Sequence, residues 1–208
     1  LTYILIMQHW DEDKVRSAAK HYAGAALFFC LLLWGSIGVL GYLAHTFDYS
    51  GISEFLHHSE SAGGWAYASA AFIVVVLLFL AAAAPFHIWF VNVLSVAVLP
   101  VCGFLTIITP FVYLSCLITL MSGVFAPLSA ALRPLLLVFA GISLVLGAVS
   151  SNSQNNIRRL FAFATVYNLG VMMFGILNFN AEAIVSAFVY TIIYVMSMIG
   201  VYTTFLAF

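Results

Sequence analysis

The longest stretch of this chain without a formal charge limits its fold more than any other feature. From Ser61 to Leu132 the sequence contains no Asp, Glu, Lys or Arg. A charged side chain at the bilayer centre costs roughly 2.5–3.5 kcal/mol even on permissive insertion scales, so long uncharged runs are typical of segments embedded in lipid. The rest of the chain agrees, since only 6% of its 208 residues are charged and 65% are hydrophobic. The composition predicts an integral membrane protein.

A helix that crosses a bilayer needs about 20 mostly apolar residues. Runs of about this length predict an all-α, polytopic transmembrane helix bundle with about six spans in a single transmembrane domain. The predicted spans are approximately residues 22–44, 65–84, 101–121, 134–149, 160–177 and 184–208. A charged segment, residues 1–21, precedes the first span.

Two connecting segments and one proline shape this prediction further. Residues 45–64 are predicted to form a polar loop, and residues 86–100 a lateral or interfacial segment, because that apolar stretch is short and contains Asn92. Pro110 lies near the middle of the third predicted span. Proline lacks a backbone donor and clashes with the preceding helical turn, so we expect this span to be kinked or broken there.

The sequence lacks the residues that several classes of function require. The formal net charge is −1, which argues against a nucleic-acid partner. The three cysteines lie in apolar runs without C-x-x-C spacing, and the pair His57-His58 lacks a third ligand at helical spacing, so no metal site is predicted. The sequence has no glycine-rich nucleotide loop, no iron–sulfur cysteine set and no nucleophile arrangement. We therefore expect no catalytic residue and no bound cofactor in this chain.

Five short patterns occur in order along about residues 18–200. They are Lys20 with Trp34-Gly35; Pro85-Phe86-His87-Ile88-Trp89; Pro100-Val101 with Phe104; Asn156-Ile157-Arg158-Arg159-Leu160 with Ala162 and Gly170; and Tyr190, Tyr194 and Gly200. Together they resemble the antiporter-like N-type subunit (subunit 2) of respiratory complex I, the proton-pumping NADH:quinone oxidoreductase. The family's subunits usually contain many more helices, so the resemblance implies a shortened and divergent form that corresponds to their central part.

The resemblance implies an antiporter-like fold and a place in the membrane arm of complex I. There the chain would support proton translocation coupled to electron transfer, as part of an assembly with H⁺-translocating NADH:ubiquinone reductase activity. NADH, FMN, iron–sulfur clusters and quinone would be bound elsewhere in that assembly. The implied partners are other membrane-arm subunits, phospholipids such as cardiolipin and, if the missing helices are encoded separately, the remainder of the same subunit. The implied location is multi-pass in the mitochondrial inner membrane, with the bacterial cytoplasmic membrane as the alternative.

Several positions depart from the family's pattern of buried proton carriers. Where the resemblance places a lysine in the broken helix, the chain has Pro110, and where a second basic residue is common it has Leu80. Arg16 stands in the position of a glutamate, and Asn168 in that of a histidine. Because none of these side chains can replace the expected group in relaying a proton, we expect this subunit's own proton channel to be degenerate.

Some polar groups remain as candidates for a proton path or gate. They are His87, Lys20, Arg158 and Tyr194. Each has a structural alternative: His87 could cap the helix that ends near Pro85, Lys20 could extend to the membrane interface, and Tyr194 could serve packing. Arg158 and Arg159 could be interfacial anchors or contacts to lipid headgroups, since basic residues beside a span attract anionic lipids.

Three other functions stay open at this point. The chain could still pump protons, with His87, Lys20 and Arg158 in place of the lost lysines. It could instead belong to a cation/proton antiporter or a membrane-bound hydrogenase of the same superfamily. Finally, it could be a small structural membrane anchor without a transport role.

Overall fold

The fold was obtained as a computed structural model that describes residues 12–58, 64–178 and 180–207. Within these ranges the chain forms eight α-helices and one 3₁₀ turn. They are α1 Glu12–Ala44, α2 Tyr49–His58, α3 Gly64–Leu80, α4 Ile88–Val96, α5 Leu99–Ser122, the 3₁₀ turn Ala126–Leu128, α6 Ser129–Asn152, α7 Ile157–Ile176 and α8 Ala181–Ala207. The prediction of an all-α membrane-helix bundle is confirmed.

Five of these helices are long and apolar enough to cross a membrane. They are α1 from Tyr22 onward, α5, α6 together with the preceding 3₁₀ turn, α7 and α8. The remaining predicted span corresponds to α3, which is uniformly apolar but only 17 residues long. That length lies at the lower limit for a spanning helix. The chain is therefore a multi-pass membrane protein with five long spans and one shorter apolar helix among its described residues.

Helices also form in segments that the sequence does not predict as helical. The predicted polar loop contains α2, whose Leu56 is buried while Glu54 and His57 are exposed. The segment 86–100 contains α4, and its residues Trp89 and Phe90 are buried. Both helices are too short to cross a bilayer, so a search for long apolar runs misses them. The charged segment is helical from Glu12, while residues 1–11 lie outside the described part of the chain.

The expected break at Pro110 is not present as an interruption of the helix. α5 continues through Pro110, from Leu99 to Ser122. The proline still removes one backbone donor, so one carbonyl of the preceding turn needs another partner. A side chain of a neighbouring helix, Tyr194, supplies that partner.

α5 lies in the interior of the bundle, where it contacts α3, α7 and α8. α6 and α7 form an antiparallel hairpin with close backbone contact at Gly147. A Cβ placed on Gly147 would lie 2.6 Å from the backbone nitrogen of Tyr167. Because real side chains do not approach so closely, the absence of a Cβ lets these two helices touch. On the other side of the molecule, α1 packs against α3 and α4.

Candidate functional site

A buried polar contact joins α5, α7 and α8. The Tyr194 hydroxyl on α8 donates to the backbone carbonyl of Thr106 on α5, at an O–O distance of 2.9 Å. The same hydroxyl lies 3.0 Å from Oγ1 of Thr165 on α7. All three residues are buried, and Tyr194 is only 6% exposed.

The position of Thr106 explains this contact. A carbonyl in a regular α-helix accepts from the N–H four residues later, which for Thr106 is residue 110. Pro110 has no N–H, so the Thr106 carbonyl has no donor within its own helix. In a bilayer there is no water to replace that donor, and the Tyr194 hydroxyl takes its place. Tyr194 therefore compensates for the proline from a neighbouring helix.

Further polar groups lie above and below this contact along α8. Tyr190, one turn before Tyr194, donates to Oδ1 of Asn168 at 2.7 Å. Tyr202, two turns after Tyr194, is buried and packs across Gly103 of α5, where an added Cβ would lie 3.2 Å from its ring. Its hydroxyl is buried and has no hydrogen-bond partner among the described residues. The tyrosines of α8 thus place three hydroxyl groups along one helix. Tyr194 and Tyr202 are buried, while Tyr190 is half-buried.

The two arginines at the start of α7 differ in their environment. Arg158 is half-buried, and its Nη1 donates to the carbonyl of Ala97 at 3.0 Å. Ala97 follows the last residue of α4, so the guanidinium binds the carbonyl end of that helix, where a positive charge is favourable. Arg159 is exposed. Asn156 caps the start of α7, where its side-chain oxygen accepts from the N–H of Arg158 at 3.0 Å.

His87 lies in the connection between α3 and α4, outside the five long spans. Its ring is half-buried and lies 5.6 Å from that of Phe163, between centroids. Nδ1 is buried and has no partner with hydrogen-bond geometry among the described residues. Burial lowers the pKa of His87 below its ordinary value, and the backbone at Pro85 opposes this shift. The nearby N–H of Ala84 donates to Ser143 Oγ at 2.9 Å, which attaches this connection to α6.

The predicted candidates have different contacts among the described residues. Lys20 lies exposed on α1, while His87, Arg158 and Tyr194 each have different partners within the described residues. The sequence did not single out Thr106 or Thr165 as partners of Tyr194. A usable signal was present for Thr106, because the residue four before a proline inside a helix loses the N–H donor that its carbonyl would otherwise have in that helix.

Comparison with known proteins assigns the chain to a family. Residues 1–208 match the family described as "NADH:quinone oxidoreductase/Mrp antiporter, TM". The chain belongs to this family. The resemblance stated from the sequence is therefore confirmed at the level of the antiporter family.

Curated relatives of this antiporter family member include subunits of NADH-quinone oxidoreductase. The chain is 31% identical to NADH-quinone oxidoreductase subunit N of Anaplasma phagocytophilum over 99% of its length and 43% of that protein. It is 29% identical to subunit N 1 of Acidiphilium cryptum, over 98% of this chain and 43% of the relative. The chain thus spans less than half the length of these relatives.

Solved structures of other complexes share the fold. A chain of the Mrp complex from Dietzia sp. DQ12-45-1b superimposes with a TM-score of 0.84 at 16% identity, over 97% of this chain and 37% of that one. A chain of the membrane-bound sulfane sulfur reductase, an archaeal respiratory membrane complex, gives a TM-score of 0.82 at 14% identity, over 95% and 40%. At these identities the likeness concerns the fold, and it confirms the antiporter-like bundle.

Proposed function

We propose that this chain forms part of the antiporter-like N subunit (subunit 2) of NADH:quinone oxidoreductase, where it supports proton translocation coupled to electron transfer. The observation that carries this proposal is the 31% identity to a subunit N over 99% of the chain. Since the chain spans 43% of that relative, it corresponds to a part of such a subunit, either within a longer chain, in a shortened form or beside a separately encoded remainder. NADH, FMN, iron–sulfur clusters and quinone belong to other subunits of the proposed assembly.

The proposed role is structural continuity of the membrane arm, with a degenerate proton channel in this part of the subunit. Support comes from α5, where Pro110 stands in the position that the resemblance assigns to a lysine. The stretch from Ser61 to Leu132 contains no acid, lysine or arginine, and His87 is the one histidine within this stretch. Next to Pro110, the Tyr194 hydroxyl donates to the Thr106 carbonyl, which this proline leaves without a donor in its own helix.

The first experiment is a native gel of the source membranes, solubilised in mild detergent and stained for NADH dehydrogenase activity. Mass spectrometry of the active band should detect peptides of this chain together with other membrane-arm subunits. If the peptides occur only in bands without this activity, the proposal is wrong. The alternative is a cation/proton antiporter complex, and the fold shared with a chain of the Mrp complex is the observation behind it. In that case the chain would run in a band without NADH dehydrogenase activity.

A second experiment tests the degenerate channel. His87→Ala in the assembled enzyme should leave the number of protons translocated per electron unchanged, measured in sealed vesicles with NADH as donor. A lower ratio at unchanged NADH oxidation would mean that His87 carries protons, in which case this part of the subunit pumps.

The proposed location is the mitochondrial inner membrane. The alternative is the bacterial cytoplasmic membrane, and it is supported by the named relatives, which are bacterial proteins. Fractionation of the source cells, followed by detection of this chain in purified membranes, distinguishes the two.

A further inference from the structure

A groove of about 340 Å³ opens between α1, the connection from α3 to α4, and α4 itself. Its lining includes Ala25 and Phe29 of α1, Phe86 of the connection, and Trp89 and Asn92 of α4. This volume lies in the range of sites that bind small molecules. The first span starts at Tyr22, so Ala25 and Phe29 lie about 5 and 10 Å into it by helical rise. A ligand of this groove would therefore enter from the lipid, close to one surface of the membrane.

The apolar wall of the groove consists of aromatic rings that hold one another in place. The rings of Phe29 and Phe79 stack at 3.9 Å between centroids, and the ring of Phe86 lies 5.2 Å from that of Phe29. Trp89 donates from Nε1 to the carbonyl of Phe79 at 3.0 Å, which fixes the indole. A flexible acyl chain loses much conformational freedom when it is ordered on such a wall, whereas a rigid ring system has little to lose. The wall therefore favours a rigid, apolar ligand.

One polar side chain with free hydrogen-bonding capacity interrupts this apolar lining. Asn92 is half-buried, and its backbone carbonyl accepts from Oγ of Ser95 at 2.7 Å. Its side-chain amide makes no hydrogen bond within the described residues. An unpaired amide is costly in an apolar environment, because lipid offers no water to pair with it. A ligand hydroxyl can pair with either end of an amide, so one such group would satisfy Asn92.

The charge around the groove selects a neutral ligand. Among the described residues, those that line the groove include no charged side chain. α3, α4 and their connection all lie between Ser61 and Leu132, where the chain has no acid, lysine or arginine. On α1, Lys20 precedes Ala25 by five residues, which places the two side chains about 140° apart around the helix. A phosphate in the groove would therefore be left without a cation.

We propose that this groove binds a neutral polycyclic alcohol of the membrane, a rigid fused-ring lipid of sterol shape with one hydroxyl group. The hydroxyl pairs with the Asn92 amide, and a flat face of the rings lies against Phe29 and Trp89. The inference does not depend on the proposed function, because it uses only the shape, rigidity and polarity of the groove. A phospholipid acyl chain fits less well, since it is flexible and leaves the amide unpaired.

Energy transfer from Trp89 to a fluorescent sterol tests the proposal, because this indole lines the groove. In the reporter protein the full chain keeps Trp89, while Trp10, Trp34 and Trp65 are replaced by phenylalanine. It is reconstituted in phosphatidylcholine nanodiscs that contain dehydroergosterol, which absorbs where tryptophan emits. Transfer should rise to saturation with this sterol and should fall when cholestanol competes. Cholestane, the same molecule without the hydroxyl group, should compete about fivefold less well, the loss expected for one hydrogen bond.

Matched variants of the reporter protein locate the site. Asn92→Leu should abolish the fivefold advantage of cholestanol over cholestane, whereas Asn152→Leu, at the exposed end of α6, should preserve it. Ala25→Phe fills the groove and should reduce transfer to the background, while Ala148→Phe, at an exposed position of α6, should not. The background is measured in a variant that keeps only Trp34, which is 83% exposed on α1. Unchanged circular dichroism confirms that each variant is folded.

Three results would overturn the inference. Cholestane could compete as well as cholestanol in the reporter protein, a comparison that needs no change in the groove and so is independent of folding defects. Transfer from Trp89 could stay at the background measured with Trp34. Finally, phosphatidylcholine with brominated acyl chains could quench Trp89 equally at every sterol content, which would identify an acyl chain as the occupant.

Discussion

Replacing Tyr194 with phenylalanine tests how the bundle tolerates a proline inside α5. The variant keeps the ring but removes the hydroxyl that donates to the Thr106 carbonyl at 2.9 Å. Leaving a buried acceptor unpaired costs about 1–3 kcal/mol, whereas interhelical hydrogen bonds in membranes contribute about 0.6 kcal/mol on average and up to about 1.7. We expect the free energy of unfolding to fall by about 1.5 kcal/mol, near the upper end of the range for interhelical hydrogen bonds in membranes. The reason is that Pro110 leaves the Thr106 carbonyl without a donor in its own helix.

Pro110→Ala provides the decisive comparison. Alanine restores an N–H at position 110, so the Thr106 carbonyl can accept within α5 and no longer depends on Tyr194. In the Pro110→Ala background we therefore expect Tyr194→Phe to cost about 1 kcal/mol less than in wild type, which is a coupling large enough to measure. Tyr190→Phe is the matched control, because its bond to Asn168 does not involve α5 and its effect should be additive with Pro110→Ala.

The assay is reversible unfolding of the purified protein in detergent, followed by circular dichroism. A loss of about 1.5 kcal/mol corresponds to a fall in Tm of about 3–6 °C for a chain of this size. If Tyr194→Phe costs the same amount with and without Pro110, to within about 0.5 kcal/mol, the hydroxyl does not compensate for the proline and the reasoning fails.

Three further predictions use the same stability assay. Gly147→Ala should cost about 1–3 kcal/mol because its Cβ would meet the backbone of α7, while Gly141→Ala on the same helix has open space and should be neutral or stabilising. Arg158→Gln should cost about 1–2 kcal/mol because it removes the charged donor at the end of α4, whereas Arg159→Gln, at an exposed position, should cost less than about 0.5 kcal/mol. Equal costs would contradict the role of Arg158 at the end of α4. Finally, wild type should lose stability relative to His87→Gln as the pH falls below about 6.5. Burial lowers the pKa of His87 in the folded protein, so the unfolded chain binds more protons in this pH range. A stability difference that does not change with pH would contradict this prediction.

The long spans were predictable because lipid imposes a strong condition on sequence. A segment such as α5 must be apolar over its length, and its observed limits, Leu99–Ser122, lie close to the predicted residues 101–121. Short helices escape this condition. α2 and α4 contain 10 and 9 residues, so neither produces a run of spanning length, and their formation depends on packing against the rest of the bundle.

The polar contacts were harder to predict than the helices. Tyr194 was a candidate from the sequence, but its partner Thr106 lies 88 residues earlier, and local patterns carry no information about that pairing. The same limit applies to Pro110. Taken alone, a proline inside a span predicts a kink or a break, and only the packing of α8 against α5 reveals the group that replaces the missing donor.

Because the chain is synthesised from its amino terminus, the contact between Tyr194 and Thr106 has a consequence for membrane insertion. Tyr194 emerges from the ribosome 88 residues after Thr106, which at about 5–20 residues per second is a delay of about 4–18 s. From the completion of α5 at Ser122 until Tyr194 is made, α5 carries one carbonyl without its final donor. The α6–α7 hairpin, joined by only the residues 153–156, can form as soon as it is made. Maturation of this part of the bundle interior therefore waits for α8. A chain truncated before α8 would leave α5 in the membrane with an unmet hydrogen bond, a defect that membrane quality control could recognise.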